Sequence, residues 1–269
     1  MLDDALLFAV DRGVATIRLN RPDVGNALDA AVAHRLAAAV AAIERDDSVR
    51  VVVLGATGRH FCAGGDIGEF LTVRDRLADA IGDELAALNP VLVRLRALPV
   101  PIVTALNGPV AGGGIGLALC GDLVIAAESA RFRSGYSAIG LSPDAGTSFL
   151  LVRALGATRA KELMFLNRSL SAADALGWGL VNRVVPDDCL DAEVGSLVAA
   201  LVALPAGSLA AVKALVAQAA DGAYEGVLAS ERRFMIQNAA GADAREGIAA
   251  FIERRAPAFG GAPGTTVSA

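Results

Sequence analysis

The chain has 269 residues, of which 54% are hydrophobic, so it supports one large domain or a main domain with an appendage and excludes extensive disorder. Its 24 Lys and Arg against 29 Asp and Glu give a formal net charge of −5, which argues against binding to nucleic acid or to an anionic membrane surface. The three cysteines, Cys62, Cys120 and Cys189, form no CxxC pair, so the sequence predicts neither a disulfide framework nor a zinc site.

The first residues, MLDDALLFAV, carry acids where a secretory signal would carry basic residues. No apolar run approaches the ~20 residues that span a bilayer. Together with the unpaired cysteines, these features lead us to expect a cytoplasmic protein with no membrane partner.

The first half of the chain predicts alternating strands and helices. Two β-prone runs, 6–10 and 14–19, flank a tight turn and predict a hairpin. Asp29 is placed to cap a helix over 30–45, where apolar residues recur every three or four positions. Further along, the sequence predicts strands over 51–54, 102–106 and 123–127, with helices over 73–98 and 117–120. This alternation is typical of an α/β fold with a parallel sheet.

The pattern changes from about Ala145 onward. Apart from short apolar pieces over 180–185, no strand is predicted there. Helical patterns occupy 145–155, 160–165, 172–176, 190–204 and, past Pro205, 208–219, 224–238 and 243–255. We therefore expect a core over 1–204 and a helical C-terminal region over 205–269 that ends in a loose Gly/Pro/Thr/Ser tail.

Several common catalytic arrangements lack support in this sequence. His34 and His60 are the only histidines, and the sequence contains no GxSxG, HExxH or GxxxxGK[ST] motif. We therefore predict neither a triad hydrolase, nor a zinc protease, nor a P-loop enzyme, and we expect no metal site.

The glycine cluster over 112–116 follows a predicted strand and opens a helix, so its first N–H groups have no partner within that helix. Such groups favour a negative charge. A dinucleotide loop is a weak alternative, because Leu119 stands where the last glycine of GxGxxG would fall. A close-packed strand-to-helix turn is the structural alternative.

Five segments together carry a family resemblance. They are NRPDVGNALD (20–29), FCAGGDI (61–67), NGPVAGGGIGLAL (107–119), IGLSPDAGTS (139–148) and EGIAAFIERRAPAF (246–259). In order and spacing they resemble the crotonase, or enoyl-CoA hydratase/isomerase, superfamily over nearly the whole chain. The resemblance implies an α/β fold of the ClpP/crotonase type, with a ββα-superhelix core. It also implies a C-terminal helical region that covers the coenzyme A (CoA) site and joins subunits into a homotrimer or a dimer of trimers.

The resemblance implies that the backbone amides of Gly65 and Gly113 bind the oxygen of an acyl-CoA thioester. Removal of the α-proton moves negative charge onto that oxygen, and two fixed donors stabilise the enolate more than the neutral substrate. CoA is then part of the substrate, and no separate cofactor is expected. By the same resemblance, the path of CoA is lined by Gly25, Ala27, Ala63, Asp66 and Ile67; loop geometry alone is the alternative for these five.

The sequence departs from the hydratase pattern of this family at two positions. Hydratases place two glutamates on one water, and the corresponding positions here are Gly116 and Tyr136. Both carboxylates are missing, and a phenol with a reference pKa of ~10 is a poor base at neutral pH.

Asp144 occupies the position at which isomerases of the family place their catalytic acid. One carboxylate suffices to take a proton from C2 of a 3-enoyl thioester and return it at C4. We expect burial near Leu141 and Phe149 to raise its pKa. The structural alternative is a helix cap at the start of 145–155.

These observations favour an isomerase that moves a double bond in an acyl-CoA thioester. Four alternatives stay open: an enoyl-CoA hydratase, a ring-forming isomerase of an epoxide thioester, a dehalogenase with Asp144 as nucleophile, and a non-catalytic acyl-CoA-binding scaffold.

Overall fold

A computed structural model describes residues 5–260 of the chain, and within that range there are nine strands and ten α-helices. The strands are β1 (Leu6–Asp11), β2 (Val14–Leu19), β3 (Val51–Ala56), β4 (Ile102–Leu106), β5 (Val110–Ala111), β6 (Leu123–Ala127), β7 (Arg131–Arg133), β8 (Ser169–Ser171) and β9 (Arg183–Val185). The helices are α1 (Ala30–Glu44), α2 (Ile67–Thr72), α3 (Leu77–Ala97), α4 (Gly113–Ala118), α5 (Thr147–Leu166), α6 (Ala172–Trp178), α7 (Leu190–Val202), α8 (Ala206–Ala219), α9 (Tyr224–Ala239) and α10 (Ala242–Glu253).

The main sheet has six strands in the order β1-β2-β3-β4-β6-β9. The predicted hairpin is confirmed: β1 and β2 pair antiparallel across a turn at Arg12 and Gly13, both of which have positive φ. The other neighbours in this sheet pair in parallel. Alternate residues of β3 face two separate apolar clusters, with Val52 and Leu54 on one side and Val51 on the other. The sheet is therefore covered on both faces, as expected for parallel strands.

A second sheet, of order β5-β7-β8, was not predicted from the sequence. The expectation that 180–185 holds the only strand material after Ala145 is wrong, because β8 pairs antiparallel with β7. These strands have two or three residues each, which is too short to produce a recognisable hydrophobic period. Their stability comes from pairing between segments that are distant in sequence.

The predicted cap of α1 is confirmed, since the Asp29 side chain accepts a 2.7 Å hydrogen bond from the Val32 amide. The helix predicted over 73–98 starts differently. Asp66 caps the separate short helix α2, a 3₁₀ turn over 74–76 follows, and α3 begins at Leu77. The two helices predicted over 145–155 and 160–165 correspond to the two parts of α5, which are separated by a kink at Gly156, where the backbone is not helical.

The three helices predicted after Pro205 are confirmed as α8, α9 and α10. They bury little within one chain, where Ala211 and Ala250 are their only buried residues in the described range. The predicted loose tail falls mainly on residues 261–269, outside the described residues, and the division of the chain at residue 204 stays a prediction.

No single helix within residues 5–260 is long and apolar enough to cross a membrane. The pair Asp187–Val202 and Ala206–Ala219 passes that test only when taken together, and its axis bends by 106°.

Candidate active site

The two glycine-rich segments lie side by side. The Ala111 amide donates a 2.9 Å hydrogen bond to the Cys62 carbonyl, and Cys62 and Val110 form a parallel β-bridge. Gly64 has a φ of +94°, and a Cβ atom placed on it would lie 3.1 Å from the Ala111 carbonyl oxygen. Glycine is therefore required at Gly64 both for its backbone conformation and for this close approach.

The amides of Gly65 and Gly113 donate to no backbone or side-chain acceptor within residues 5–260. Both glycines line one cavity of about 310 Å³. Of the other residues singled out from the sequence, the structure brings four into the same cavity: Ala63, Ile67, Tyr136 and Asp144. The predicted oxyanion donors and the predicted base thus share one site.

Asp144 is half-buried beside Gly113. A Cβ atom placed on Gly113 would lie 2.7 Å from Asp144 Oδ1. The Tyr136 hydroxyl donates a 2.5 Å hydrogen bond to the same oxygen. Burial raises the pKa of Asp144, and the hydrogen bond from Tyr136 opposes part of that rise. Asp144 is the only carboxylate among the described residues that lines this cavity or the larger one beside it.

The alternative role of Asp144 as a helix cap is wrong. Helix α5 begins at Thr147, its N-cap position is Gly146, and no side chain caps it. The Asp144 carbonyl, rather than its carboxylate, accepts a 2.8 Å hydrogen bond from the Thr147 amide. The start of the helix is delayed because Ala145 and Gly146 both adopt left-handed φ values, +48° and +77°.

The turn at Ala145 and Gly146 also explains why position 116 is a glycine. A Cβ atom there would lie 2.0 Å from the Ala145 carbonyl oxygen, which is closer than any real contact. Gly116 lines neither cavity. The space that a side chain at position 116 would need is therefore filled by the main chain of Ala145.

Three residues predicted to line the CoA path, Gly25, Ala27 and Asp66, lie outside the two cavities. Gly25 has a φ of +64°, and its carbonyl accepts a 2.9 Å hydrogen bond from the Ala63 amide. The loop that contains Gly25 is therefore tied to the loop that contains Ala63, at the edge of the smaller cavity.

Arg21 fixes the same loops and was not singled out from the sequence. Its guanidinium donates to the Ala27 carbonyl at 2.9 Å. It also forms ion pairs with Asp29 at 2.9 Å and with Asp66 at 3.1 Å. The Asp29 and Asp66 side chains are only 15% and 14% exposed, so the single cation neutralises two largely buried charges.

A larger cavity of about 580 Å³ adjoins the first and shares Phe70, Leu141 and Asp144 with it. One wall comes from α3, through Ile81, Leu85, Asn89, Leu92, Val93 and Arg96. The opposite wall comes from the start of α5, including Phe149 and Leu150. The cavity is mainly apolar and opens directly from the Asp144 site.

Glu84 is a second titratable group near Asp144 that was not predicted. It is half-buried on α3 between Ile81 and Leu85, and it makes no hydrogen bond or ion pair within residues 5–260. Burial, followed by the negative charge of Asp144 and of other nearby carboxylates, raises the pKa of Glu84 to about 7. No local pattern distinguishes Glu84, because it lies in a helix rich in charged residues.

Within residues 5–260, no group of three or more His, Cys, Asp and Glu side chains could hold a metal ion. The chemistry that the described residues offer is hydrogen bonding from two free amides and proton transfer at Asp144.

A pair of free amides beside a lone carboxylate, next to an apolar cavity, is typical of enzymes that stabilise an oxyanion. The chain belongs to the enoyl-CoA hydratase/isomerase family, whose sequence pattern matches residues 9–262. The predicted membership of the crotonase superfamily and the crotonase-like α/β fold are thereby confirmed.

Relatives with different reactions resemble this chain. It is 37% identical to 1,2-epoxyphenylacetyl-CoA isomerase of Escherichia coli, over 95% of this chain and 98% of that one. It is 33% identical to trans-2-decenoyl-[acyl-carrier-protein] isomerase of Streptococcus mutans, over 95% and 98%. Among solved structures, an enoyl-CoA hydratase from Polaromonas superposes with a TM-score of 0.90 at 31% identity, over 95% and 99%.

Proposed function

We propose that this protein is an acyl-CoA isomerase that converts a 3-enoyl-CoA into a 2-enoyl-CoA through a thioester enolate. Gly65 and Gly113 are the oxyanion donors, and Asp144 is the single base. The observation that carries the proposal is the position of Asp144 Oδ1 beside Gly113, while the Ala145 carbonyl fills the space in front of Gly116.

The proposed reaction needs one proton-transferring group. With the thioester oxygen held by the amides of Gly65 and Gly113, ionised Asp144 removes a proton from C2. The electron pair of that C–H bond moves toward the oxygen and forms a dienolate. Protonated Asp144 then returns the proton to C4, and the double bond moves from the 3,4 to the 2,3 position. The step is redox-neutral, so the only cofactor moiety it requires is the CoA that the substrate carries.

The position of Asp144 supports this role. By standard bond geometry, Oδ1 lies within about 5 Å of the Gly113 nitrogen, which is the range expected of a base that acts next to a bound thioester carbonyl. The Tyr136 hydroxyl donates a hydrogen bond to Oδ1 of Asp144, and no side chain within residues 5–260 donates to Oδ2. Oδ2 is therefore free to face the substrate, and a raised pKa makes the carboxylate a stronger base.

In the same proposal, the pantetheine arm of CoA enters past Ala63 and Ile67, which line the smaller cavity. Gly25, Ala27 and Asp66 contribute through the loops that Arg21 holds in place. Contacts to this part of CoA would be made mainly by the backbone, so the loops must be rigid.

Hydration is disfavoured as the main activity. Hydratases of this family use two carboxylates, and the structure offers Asp144 alone at the cavity surfaces within the described range. A ring-forming isomerase is the second candidate. The larger cavity, with Phe70 and Phe149 in its walls, has room for a ring, and one relative is named 1,2-epoxyphenylacetyl-CoA isomerase.

The purified enzyme should be tested with 3-enoyl-, 2-enoyl-, arylacetyl- and epoxyarylacetyl-CoA. Water addition, double-bond migration, ring expansion and uptake of solvent deuterium are followed in parallel. Migration of the 3-enoyl bond without hydration supports the proposal. Rapid hydration of 2-enoyl-CoA, or turnover of the epoxide alone, contradicts it, and no chemistry on any thioester favours a non-catalytic scaffold.

We also propose that the chain assembles into a homotrimer or a dimer of trimers through its C-terminal helices. Large apolar side chains on α9 and α10 are exposed in the single chain, including Tyr224 at 78% and Phe251 at 85%. Exposed apolar surface of this kind marks a contact with another chain. Phe251→Asp should dissociate the assembly in light scattering, whereas Val10→Asp on β1 should leave it intact.

A further inference from the structure

Arg96 is an unpaired cation in the wall of the larger cavity. Its guanidinium lies 5.7 Å from the centroid of the Phe149 ring. It makes no ion pair or hydrogen bond within residues 5–260. The other cations nearby are paired: Arg153 with Asp221 at 2.6 Å, and Lys213 with Asp122 at 2.8 Å. Of these three cations, Arg96 is therefore the one that forms no ion pair within residues 5–260; the pKa of Asp221 is lowered first by Arg153, which binds it, and also by the charge of Arg96.

Arg96 and the carboxylate of Asp144 line different parts of the larger cavity. The charge of Asp144 acts on Glu84, so Asp144 lies near the N-terminal half of α3. Arg96 follows Glu84 by twelve residues, which corresponds to about 18 Å along a helix axis. Asp144 lines both the smaller and the larger cavity, whereas Arg96 lines only the larger one.

The surface between these two ends is mostly apolar, with Leu85, Leu92 and Leu150 in the walls. A ligand that fills the cavity therefore needs an apolar stretch next to the thioester. At the far end it meets a planar guanidinium, whose donors match a carboxylate. Arg96 is exposed, so a carboxylate there would keep part of its hydration, and the cost of desolvation would be small.

We propose that Arg96 selects acyl-CoA thioesters whose acyl chain ends in a carboxylate. This inference rests on the proposed function, because it takes the larger cavity as the site of the acyl chain. A plain alkyl chain would fill the apolar stretch equally well but would leave the guanidinium without a partner.

Binding of saturated thioesters tests this inference without a need for turnover. Hexanedioyl- and octanedioyl-CoA are compared by calorimetry with hexanoyl- and octanoyl-CoA, for wild type, Arg96→Met and Arg153→Met. Arg96→Met should weaken binding of the dioyl thioesters by about fivefold and leave the alkanoyl thioesters unchanged. Arg153 stacks on the same Phe149 ring at 4.6 Å but does not line the cavity, so Arg153→Met should not change the preference.

Raised salt should reduce the effect of Arg96→Met, because the proposed contact is an exposed ion pair. An equal loss for both classes of thioester in Arg96→Met, or the same change in Arg153→Met, would contradict the inference. If the wild-type protein binds alkanoyl-CoA and dioyl-CoA with equal affinity, this inference is overturned while the proposed function stands. Failure of all four thioesters to bind would overturn the proposed function together with it.

Discussion

The Tyr136 hydroxyl donates a hydrogen bond of 2.5 Å to Oδ1 of Asp144. Burial and the charge of Asp144 both raise the pKa of Tyr136, so the phenol keeps its proton and remains a donor at neutral pH. Tyr136, which the family resemblance aligns with a hydratase glutamate, is therefore a hydrogen-bond donor to the carboxylate of Asp144.

Replacing Tyr136 by Phe should move the pH profile of the enzyme. The hydrogen bond lowers the pKa of Asp144, so its loss should raise that pKa and shift the acidic limb of kcat/KM to higher pH. At neutral pH we expect a loss of about tenfold, as for a hydrogen bond to a charged group. Ser137→Ala is the matched control, since that hydroxyl bonds the Met164 carbonyl instead. An unchanged profile in Tyr136→Phe would count against the orienting role.

Gly116→Glu should not create a hydratase. The first side-chain atom would collide with the Ala145 carbonyl, so the expected result is loss of the native turn rather than a second base. Gly116→Ala should already lower the free energy of unfolding by about 2 kcal/mol or more. Gly82→Ala on α3 is the control: nothing lies within 4 Å of the added Cβ, and it should be stabilising by up to about 1 kcal/mol. Urea denaturation of both variants compares the two effects.

Glu84 should make stability depend on pH. Its folded-state pKa of about 7 lies above the reference value of 4.5, so between these values the folded chain holds a proton that the unfolded chain has lost. The contribution of Glu84 to stability is thus fully present below pH 4.5 and is lost as pH rises through 7. After allowance for solvent screening, Glu84→Gln should stabilise the protein by about 1 kcal/mol at pH 8 and by little at pH 5. If the denaturant midpoints of Glu84→Gln and wild type differ by the same amount at both pH values, the raised pKa of Glu84 is contradicted.

Arg21→Met should destabilise the loops at the proposed CoA entrance. It leaves the carboxylates of Asp29 and Asp66 buried without their cation, at an expected cost of about 3 kcal/mol. Because these loops position the substrate, KM should rise more than kcat falls. Adding Asp66→Asn to Arg21→Met should recover part of the lost stability, and strict additivity of the two changes would show that the pair does not interact.

The parts of the fold that were predicted correctly are those with a local signal. The hairpin, the capped helix α1 and the strands β3, β4 and β6 each carry an apolar pattern or a cap within a short stretch of sequence. The small second sheet carries no such pattern, because two- and three-residue strands are defined by their partners.

In the candidate site, too, the features with a local sequence signal were predicted and those that depend on distant residues were not. The glycine segments and Asp144 were found from their motifs, whereas the ion pairs of Arg21 and the proximity of Glu84 to Asp144 depend on the folded chain. The helix cap at Asp144, which the sequence left open as an alternative, is absent because Ala145 adopts a left-handed conformation that a local pattern does not predict.

In the proposed reaction Asp144 moves the proton, and Asp144→Asn tests this role. The amide oxygen of asparagine can still accept the hydrogen bond from Tyr136, so the site should keep its geometry while losing its base. Double-bond migration in a 3-enoyl-CoA, with solvent deuterium followed at C2 and C4, should fall by about 10³-fold, with thioester affinity nearly unchanged. A rate within tenfold of wild type, with deuterium still entering C4, would contradict the role of Asp144 as the base.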